Sequence, residues 1–142
     1  MKTEFIAFLK EHIGQHVEGK ASPFSNWLNG KIEAISDNGD LKMSFEMRTD
    51  MLNPFGLAHG GVISAILDEL MGMQIFVKST DTEQFLALNL TVDFVKSVQP
   101  GEIIYGAPII IKKGRRVATA TCQLVNAKGI VIAQGSSNYL AI

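Results

Sequence analysis

The feature that most constrains the fold is the stretch 60–78, which has the length of a long helix and is apolar on nearly every side. Such a helix cannot lie on a surface, because it would expose apolar side chains to water, so other elements must enclose it. Asp68 and Glu69 stand near its centre, where charged side chains would be costly in lipid. We therefore expect a core helix and no membrane span.

The segments that could enclose this helix alternate polar and apolar residues, which is the period of a β-strand. Two strands flank the turn Asp37-Asn38-Gly39-Asp40 and predict a β-hairpin. Four more strands are predicted at 85–95, 102–112, 116–126 and 130–140, separated by glycine-containing turns. Residues 3–13 predict a short amphipathic helix, and residues 15–28 an irregular connection with Trp27 packed against the core.

The resulting order is α-β-β-α-β-β-β-β, and 142 residues suit one domain, residues 1–142. Six strands around one long helix predict an α+β fold. Its sheet is antiparallel, six-stranded and curved around the central helix, with a short helix at the N-terminus.

The charge balance argues against partners that are recognised by a strong field. Thirteen basic and fourteen acidic residues leave a net charge of −1, which attracts neither nucleic acid nor an anionic membrane. Cys122 is the only cysteine, so no intrachain disulfide can form, and its strand neighbours predict a packed, inert thiol. Glu4 and Lys10 interrupt the apolar region that a secretion signal would need, so we expect a cytoplasmic protein.

A candidate site lies where the long helix begins, at His59-Gly60-Gly61. The glycines lack a Cβ, so a bound group can approach the backbone N–H donors that a first helical turn leaves unpaired. Asp68 follows nine residues after His59 on a helix otherwise suited to burial, so its carboxylate needs a partner or a function. Glu69 is the rival acid, but it points about 100° away, whereas Asp68 shares its face with small residues that leave room for a ligand.

The element order and the residues Asn53, His59-Gly60-Gly61 and Asp68 resemble the hotdog-fold acyl-CoA thioesterases, over about residues 28–140. The resemblance is strongest to the phenylacetate-degradation type and its relatives in the 4-hydroxybenzoyl-CoA thioesterase superfamily. It implies hydrolysis of an acyl-CoA thioester to a free carboxylic acid and CoA. In that reaction the Gly60 N–H would polarise the thioester carbonyl, and Asp68 would be the nucleophile or the general base. Asn53 would hold the attacking water or the thioester oxygen, and His59 would orient the loop and the first helical turn.

The same resemblance implies an assembly. Asn53, His59 and Gly60 of one subunit would face Asp68 of another, in a homodimer or in a tetramer formed as a dimer of dimers. The strand Phe85–Phe94 is expected to be a sheet edge that pairs with its copy, while its even-numbered apolar residues cover the helix.

No separate cofactor is expected, because CoA is part of the substrate. Its phosphates need cations, and the one dense basic group is formed by Lys112, Lys113, Arg115 and Arg116 at a predicted turn. Gly61, at the helix start, is expected to contribute to substrate binding. His12 and His16 are four residues apart, but no third ligand is evident, so we predict no metal site.

One position departs from the family pattern. Many relatives carry a serine or threonine on the strand after the central helix, where its hydroxyl helps to position water, and the best-aligned residue here is Ala87. Asn89 and Thr91 share a face with Ala87 if the strand keeps its period of two, so either could take that role.

Two other functions remain open on these residues. A hydratase or dehydratase of acyl thioesters could use the same fold, with a histidine and an acid at the β-carbon of the substrate. A non-catalytic acyl-CoA-binding protein would need only the pocket. The nine-residue spacing from His59 to Asp68 resembles the thioesterases better.

Overall fold

The computed structural model describes every residue from Met1 to Ile142. Three helices, eight strands and a 3-10 turn at Thr49–Met51 make up the fold. In chain order they are α1 Thr3–Glu11, α2 Pro23–Leu28, β1 Lys31–Ile35, β2 Leu41–Glu46, α3 Gly60–Lys78, β3 Phe85–Ala87, β4 Thr91–Phe94, β5 Ile103–Gly106, β6 Ile109–Lys113, β7 Val117–Val125 and β8 Val131–Ala141. The predicted order is confirmed, with α2 added and two of the predicted strands each divided in two.

All eight strands belong to one antiparallel sheet, with β1 at one edge and β3 at the other. The order is β1-β2-β5-β7-β8-β3, while β4 also pairs with β8 and β6 also pairs with β7. The pairs β3–β4 and β5–β6 therefore each occupy one strand position, which gives the six predicted positions. Pro108 separates β5 from β6, since proline has no N–H to donate to the ladder.

The long helix α3 packs against the inner face of this sheet, chiefly on β7 and β8. Two strand glycines allow the close approach. A Cβ on Gly106 would clash with the Leu70 side chain, and one on Gly135 would lie 3.1 Å from Leu67. The helix bounds are as predicted, but Asp68 and Phe76 are exposed, so α3 is not enclosed on nearly every side within a single chain.

The edge formed by β3 and β4 departs from its prediction in one respect. Leu86, Leu88 and Phe94 are 57–59 % exposed, and of the even-numbered apolar residues only Val92 packs against the core. The break between the two strands shifts the alternation by one residue, because β3 turns Phe85, an odd-numbered residue, to the core side.

The segment before β1 was expected to be irregular and instead contains α2. Ser22 caps this helix by accepting the N–H of Ser25 at 3.3 Å, and Pro23 occupies the first turn, where its missing N–H costs nothing. The expected packing of Trp27 against the core is wrong. Its ring is 40 % exposed and stacks beside Phe24, with the guanidinium of Arg48 at 5.3 Å.

Candidate active site

The loop before α3 positions Asn53 by hydrogen bonds of its own side chain. Asn53 Oδ1 accepts the backbone N–H of Phe55 at 2.9 Å and that of Leu57 at 3.2 Å. The backbone N–H of Asn53 donates to the Leu57 carbonyl at 2.7 Å, which closes the loop. The side-chain amide nitrogen of Asn53 is not used in these bonds, so it is available as a donor.

His59 is the N-cap of α3. Its Nδ1 accepts the N–H of Gly61 at 2.8 Å, so the ring proton lies on Nε2. The Gly60 N–H has no acceptor in the protein and lies at the positive end of the helix dipole. The two glycines are therefore not equivalent: Gly60 offers a free donor, whereas the N–H of Gly61 is already bonded to His59.

A cavity of about 300 Å³ opens beside Gly60, and its walls include Ile63, Phe94 and Lys96. A Cβ on Gly60 would lie 3.3 Å from the Phe94 ring, so glycine lets the backbone and this ring come close together. The cavity is mostly apolar, and Gly60 forms part of its wall. It can hold an acyl group whose carbonyl oxygen accepts the Gly60 N–H.

Asp68 lines a second cavity of about 450 Å³, whose apolar walls include Met73, Phe76 and Phe85. Burial of the carboxylate among these groups raises its pKa above the ordinary value of 3.8, and no hydrogen bond or charge opposes the shift. Its outer side is nevertheless exposed in the single chain. Asp68 is thus a carboxylate without a protein partner, open to a ligand.

The neighbouring acid has a different environment. Glu69 accepts a hydrogen bond from the hydroxyl of Ser25, which in turn lies 2.9 Å from the Ser22 hydroxyl. This contact ties α3 to α2. Glu69 has a structural partner, and this supports the choice of Asp68 as the reactive acid.

One chain does not bring the helix start and Asp68 together. Gly60 and Asp68 are eight residues apart on α3, which at 1.5 Å per residue is about 12 Å along the helix axis. Their two cavities have no lining residue in common. A single thioester carbonyl cannot contact both groups of one chain.

The basic residues lie at the β6–β7 turn. Lys113 forms an ion pair with Glu83 at 2.8 Å and lies 5.3 Å from the centre of the Phe85 ring. The Lys113 ammonium, helped by a backbone N–H, holds the pKa of the Glu83 carboxyl below its ordinary value. Lys112, Arg115 and Arg116 are exposed.

This turn lies close to the cavity that contains Asp68. Glu83 and Phe85 line a further cavity of about 370 Å³, and Phe85 lines the Asp68 cavity as well. Three of the four basic side chains are free to bind an anion near this pair of cavities. Lys113 is free only if its ion pair opens.

Ala87 lies in the wall of the Asp68 cavity. Neither proposed substitute follows it along one strand, because β3 ends at Ala87 and β4 begins at Thr91. The side chain of Asn89 is used elsewhere, since its Oδ1 accepts the backbone N–H of Asn138 at 3.0 Å.

Two further groups can be assigned. Cys122 is buried, and burial raises the pKa of its thiol to about 12, so it is a packed thiol and no nucleophile at neutral pH. His12 Nδ1 lies 2.7 Å from the Phe8 carbonyl oxygen. The structure contains no group of three or more His, Cys, Asp or Glu side chains that could share a metal ion.

Phe94 beside Gly60, and Ser25 and Tyr139 beside Asp68, were not among the site residues predicted from the sequence. Of these three residues, only Ser25 lies near a local sequence signal, because Ser22-Pro23 is typical of a helix start and Ser25 belongs to the helix α2 that begins there. Phe94 and Tyr139 reach their cavities through the pairing of β4 and β3 with β8, which one sequence does not display.

The curved antiparallel sheet around a long helix, with a free N–H at the helix start and a carboxylate two turns on, defines a hotdog-fold protein of the thioesterase class. The thioesterase superfamily model matches residues 55–133, which is more than half of the chain. The chain belongs to this superfamily.

Known proteins similar to this chain agree with that membership. An esterase-designated protein, Rv1847 of Mycobacterium tuberculosis, is 24 % identical over 116 residues, covering 80 % of this chain and 81 % of its own. A thioesterase-like, phenylacetic acid degradation-related protein from Ralstonia eutropha JMP134 has a similar fold, with a TM-score of 0.81 and 24 % identity over 96 % of this chain and 98 % of its own. The protein smu.793 from Streptococcus mutans UA159, solved bound to acetyl CoA, has a TM-score of 0.74 and 18 % identity over 80 % and 89 %.

Proposed function

We propose that this protein hydrolyses an acyl-CoA thioester to a free carboxylic acid and CoA. The observation that carries the proposal is the unpartnered Asp68 carboxylate in a largely apolar cavity. Partial desolvation disfavours its charge, and it has no partner in the single chain, so a chemical role accounts for it. Membership in the thioesterase superfamily supports the bond type, and the acetyl-CoA complex of a protein with a similar fold supports the substrate class.

The active unit we propose is a homodimer, because Gly60 and Asp68 of one chain are too far apart to share a substrate. The edge formed by β3 and β4 has backbone groups unpaired on one side and exposes Leu86, Leu88 and Phe94. An open apolar edge of this kind favours symmetric pairing with a second copy. Such a dimer could pair again into a tetramer.

Antiparallel pairing of this edge with its copy would join the two halves of the site. With a two-fold axis at the centre of Phe85–Phe94, residue 94 of one chain lies opposite residue 85 of the other. Phe94 lines the cavity of Gly60, whereas Phe85 lines the cavity of Asp68. The pairing therefore brings the Gly60 N–H of one subunit next to the Asp68 carboxylate of its partner.

In the general-base route, the thioester oxygen accepts the Gly60 N–H, which polarises the carbonyl. Asp68 of the other subunit takes a proton from water, and the water oxygen forms a bond to the carbonyl carbon. The tetrahedral intermediate then breaks its C–S bond, and the sulfur of CoA receives the proton from Asp68. The Asn53 amide nitrogen is free to donate a hydrogen bond to the substrate oxygen or to the tetrahedral oxyanion.

In the nucleophilic route, an Asp68 oxygen attacks the carbonyl carbon itself, and CoA leaves as a thiolate. The resulting mixed anhydride is then hydrolysed by water, which releases the acid and restores Asp68. Both routes require an ionised carboxylate, so both predict that activity falls as the pH drops through the raised pKa of Asp68.

We assign binding of the CoA phosphates to the basic turn. Lys112, Arg115 and Arg116 are exposed and concentrate positive charge beside the cavities near Asp68. Lys113 would contribute if it exchanged Glu83 for a phosphate. The Gly61 N–H is bonded to His59 and is not available to the substrate. Gly61 would contribute to binding by leaving the helix start without a side chain, so that the substrate can approach the backbone.

Thiol release from a panel of short, medium, long and aromatic acyl-CoA substrates tests the proposal. Hydrolysis of at least one member, lost in Asp68→Asn, is the expected result. Hydration of an enoyl-CoA without thiol release would instead favour a hydratase. Stoichiometric binding of acyl-CoA without turnover would favour a binding protein.

A further inference from the structure

The hydroxyl of Tyr139 is the one buried side-chain oxygen or nitrogen in this protein that has no hydrogen-bond partner. Tyr139 lies on β8 and is only 3 % exposed. A buried hydroxyl without a partner loses its hydration and gains nothing in return, and such groups are rare in folded proteins. A bound group beside this hydroxyl would supply the partner that the protein does not place within hydrogen-bond geometry.

The position of Tyr139 links this hydroxyl to the reaction. Tyr139 is the cross-strand partner of Ala87, the position at which the family pattern leads us to expect a hydroxyl. Both residues line the cavity that contains Asp68. Gly72 faces the hydroxyl from α3 at a point where a Cβ would lie 4.0 Å from the oxygen, so no side chain of α3 covers it from that position.

Electrostatics agree with this position. Burial raises the pKa of Tyr139 to about 12, the nearby Ser137 hydroxyl opposes the rise, and the negative charge of Asp68 adds to it. The hydroxyl is therefore protonated at neutral pH and can donate a hydrogen bond. It is also close enough to Asp68 to sense its charge, although no direct hydrogen bond joins the two.

We propose that Tyr139 is a positioning residue that holds, together with Asp68 of the same chain, the water molecule that attacks the thioester. This inference rests on the proposed thioesterase function. Two polar groups in the wall of one cavity supply the hydrogen-bond partners that a bound water needs. Tyr139 would supply from β8 the hydroxyl that Ala87 lacks on β3.

The step balances without a further reactant. Tyr139 donates its hydrogen bond to the water oxygen and keeps its proton throughout. Asp68 takes one proton from the water, and the water oxygen forms the bond to the carbonyl carbon. When the C–S bond breaks, that proton passes from Asp68 to the CoA sulfur.

Tyr139→Phe tests this role, and Tyr105→Phe is the matched control, since Tyr105 is the other tyrosine and lies on β5 beside Lys42. We expect Tyr139→Phe to lower kcat about tenfold or more, within the range for a positioned group in proton transfer, with a smaller change in KM. In an Asp68→Asn background the same change should cost almost nothing, because the water has already lost its base. Normal kcat in folded Tyr139→Phe, or an equal loss in both backgrounds, would overturn the proposal.

A titration separates this inference from the proposed function. The Asp68 carboxyl carbon, followed by NMR, should show a higher pKa in Tyr139→Phe, because an anchored water no longer stabilises the carboxylate. The other charged groups in this cavity are Lys20 and Glu69, and both remain in the variant.

The adjoining cavity adds Lys2, Asp81 and Glu83, which are also unchanged. If the wild-type protein releases no thiol from any acyl-CoA, the proposed function is wrong. The titration still tests whether Tyr139 and Asp68 hold a water molecule, because it does not depend on turnover. If the pKa of Asp68 is the same in Tyr139→Phe as in the wild type, the two residues do not hold a water molecule between them.

Discussion

The free N–H of Gly60 and the carboxylate of Asp68 belong to the same helix and are separated by about 12 Å along its axis. They open into two cavities that share no residue, one walled by Phe94 and the other by Phe85. Phe85 and Phe94 stand at opposite ends of the sheet edge that β3 and β4 form. Within one chain, the two groups therefore cannot contact the same thioester carbonyl, and the proposed site needs a second copy to bring them together.

Mixed dimers test this arrangement directly. Asn53→Asp keeps the oxygen that accepts the N–H groups of Phe55 and Leu57 but removes the amide donor, so the loop should survive while the site is impaired. Asp68→Asn removes the base. Each variant alone should be strongly impaired, whereas a heterodimer of the two has one intact site and should regain about half of wild-type activity. Heterodimers purified with two affinity tags and assayed for thiol release supply the measurement. If they are as inactive as their parents, each site lies within one chain.

Interruption of the sheet edge should abolish activity together with assembly. We expect Leu88→Glu to produce a monomer without thioesterase activity, because the introduced charge would be buried in the paired edge. Ile130→Glu, in the β7–β8 turn, is the control for an exposed apolar residue away from this edge. Light scattering and circular dichroism report the mass and the fold. An active, monodisperse monomer of either the variant or the wild type would contradict the proposed dimer.

The raised pKa of Asp68 predicts how stability depends on pH. Desolvation disfavours the ionised form in the folded state, so the folded protein is penalised wherever Asp68 is charged. The penalty is absent below the ordinary pKa of 3.8 and appears as the pH rises through the folded pKa. Asp68→Asn should therefore have a higher Tm than the wild type at neutral pH, and the difference should vanish in acid. A variant less stable than the wild type at neutral pH would show that Asp68 stabilises the fold.

The basic turn should affect binding more than chemistry. Arg115→Ala and Arg116→Ala should each raise KM for acyl-CoA, with less effect on kcat, and should weaken the dependence of KM on salt. Lys128→Ala removes one exposed charge from the β7–β8 turn and serves as the control. Unchanged KM in both arginine variants would leave this turn without a role in substrate binding.

Some of this fold could be predicted from the sequence because its signals are local. The bounds of α3 follow from one apolar run, and its start follows from His59 and two glycines. The Ser22-Pro23 start of α2 was equally local, but a six-residue helix is too short to show a period, so it was missed.

The parts of the site that were missed depend on contacts between distant strands. Tyr139 is 71 positions after Asp68 and reaches the same cavity only because β8 pairs with β3. The outward orientation of Leu88 depends on a break in the edge strand, which a pattern with a period of two cannot reveal. The position of Tyr139 and the orientation of Leu88 both depend on how the strands pair and where they break, which the residue types alone do not indicate.

The central claim is that Asp68, and not its neighbour, is the carboxylate that thioester hydrolysis requires. Steady-state thiol release by Asp68→Asn and Glu69→Gln tests it most directly, since both variants remove one charge from adjacent positions. The amide oxygen introduced by Glu69→Gln can still accept the hydrogen bond of Ser25, so that variant should keep its fold and most of its activity. We predict that kcat falls about a hundredfold or more in Asp68→Asn, with the fold and the oligomer intact. Near-normal turnover by folded Asp68→Asn, or a greater loss in Glu69→Gln, would contradict the account.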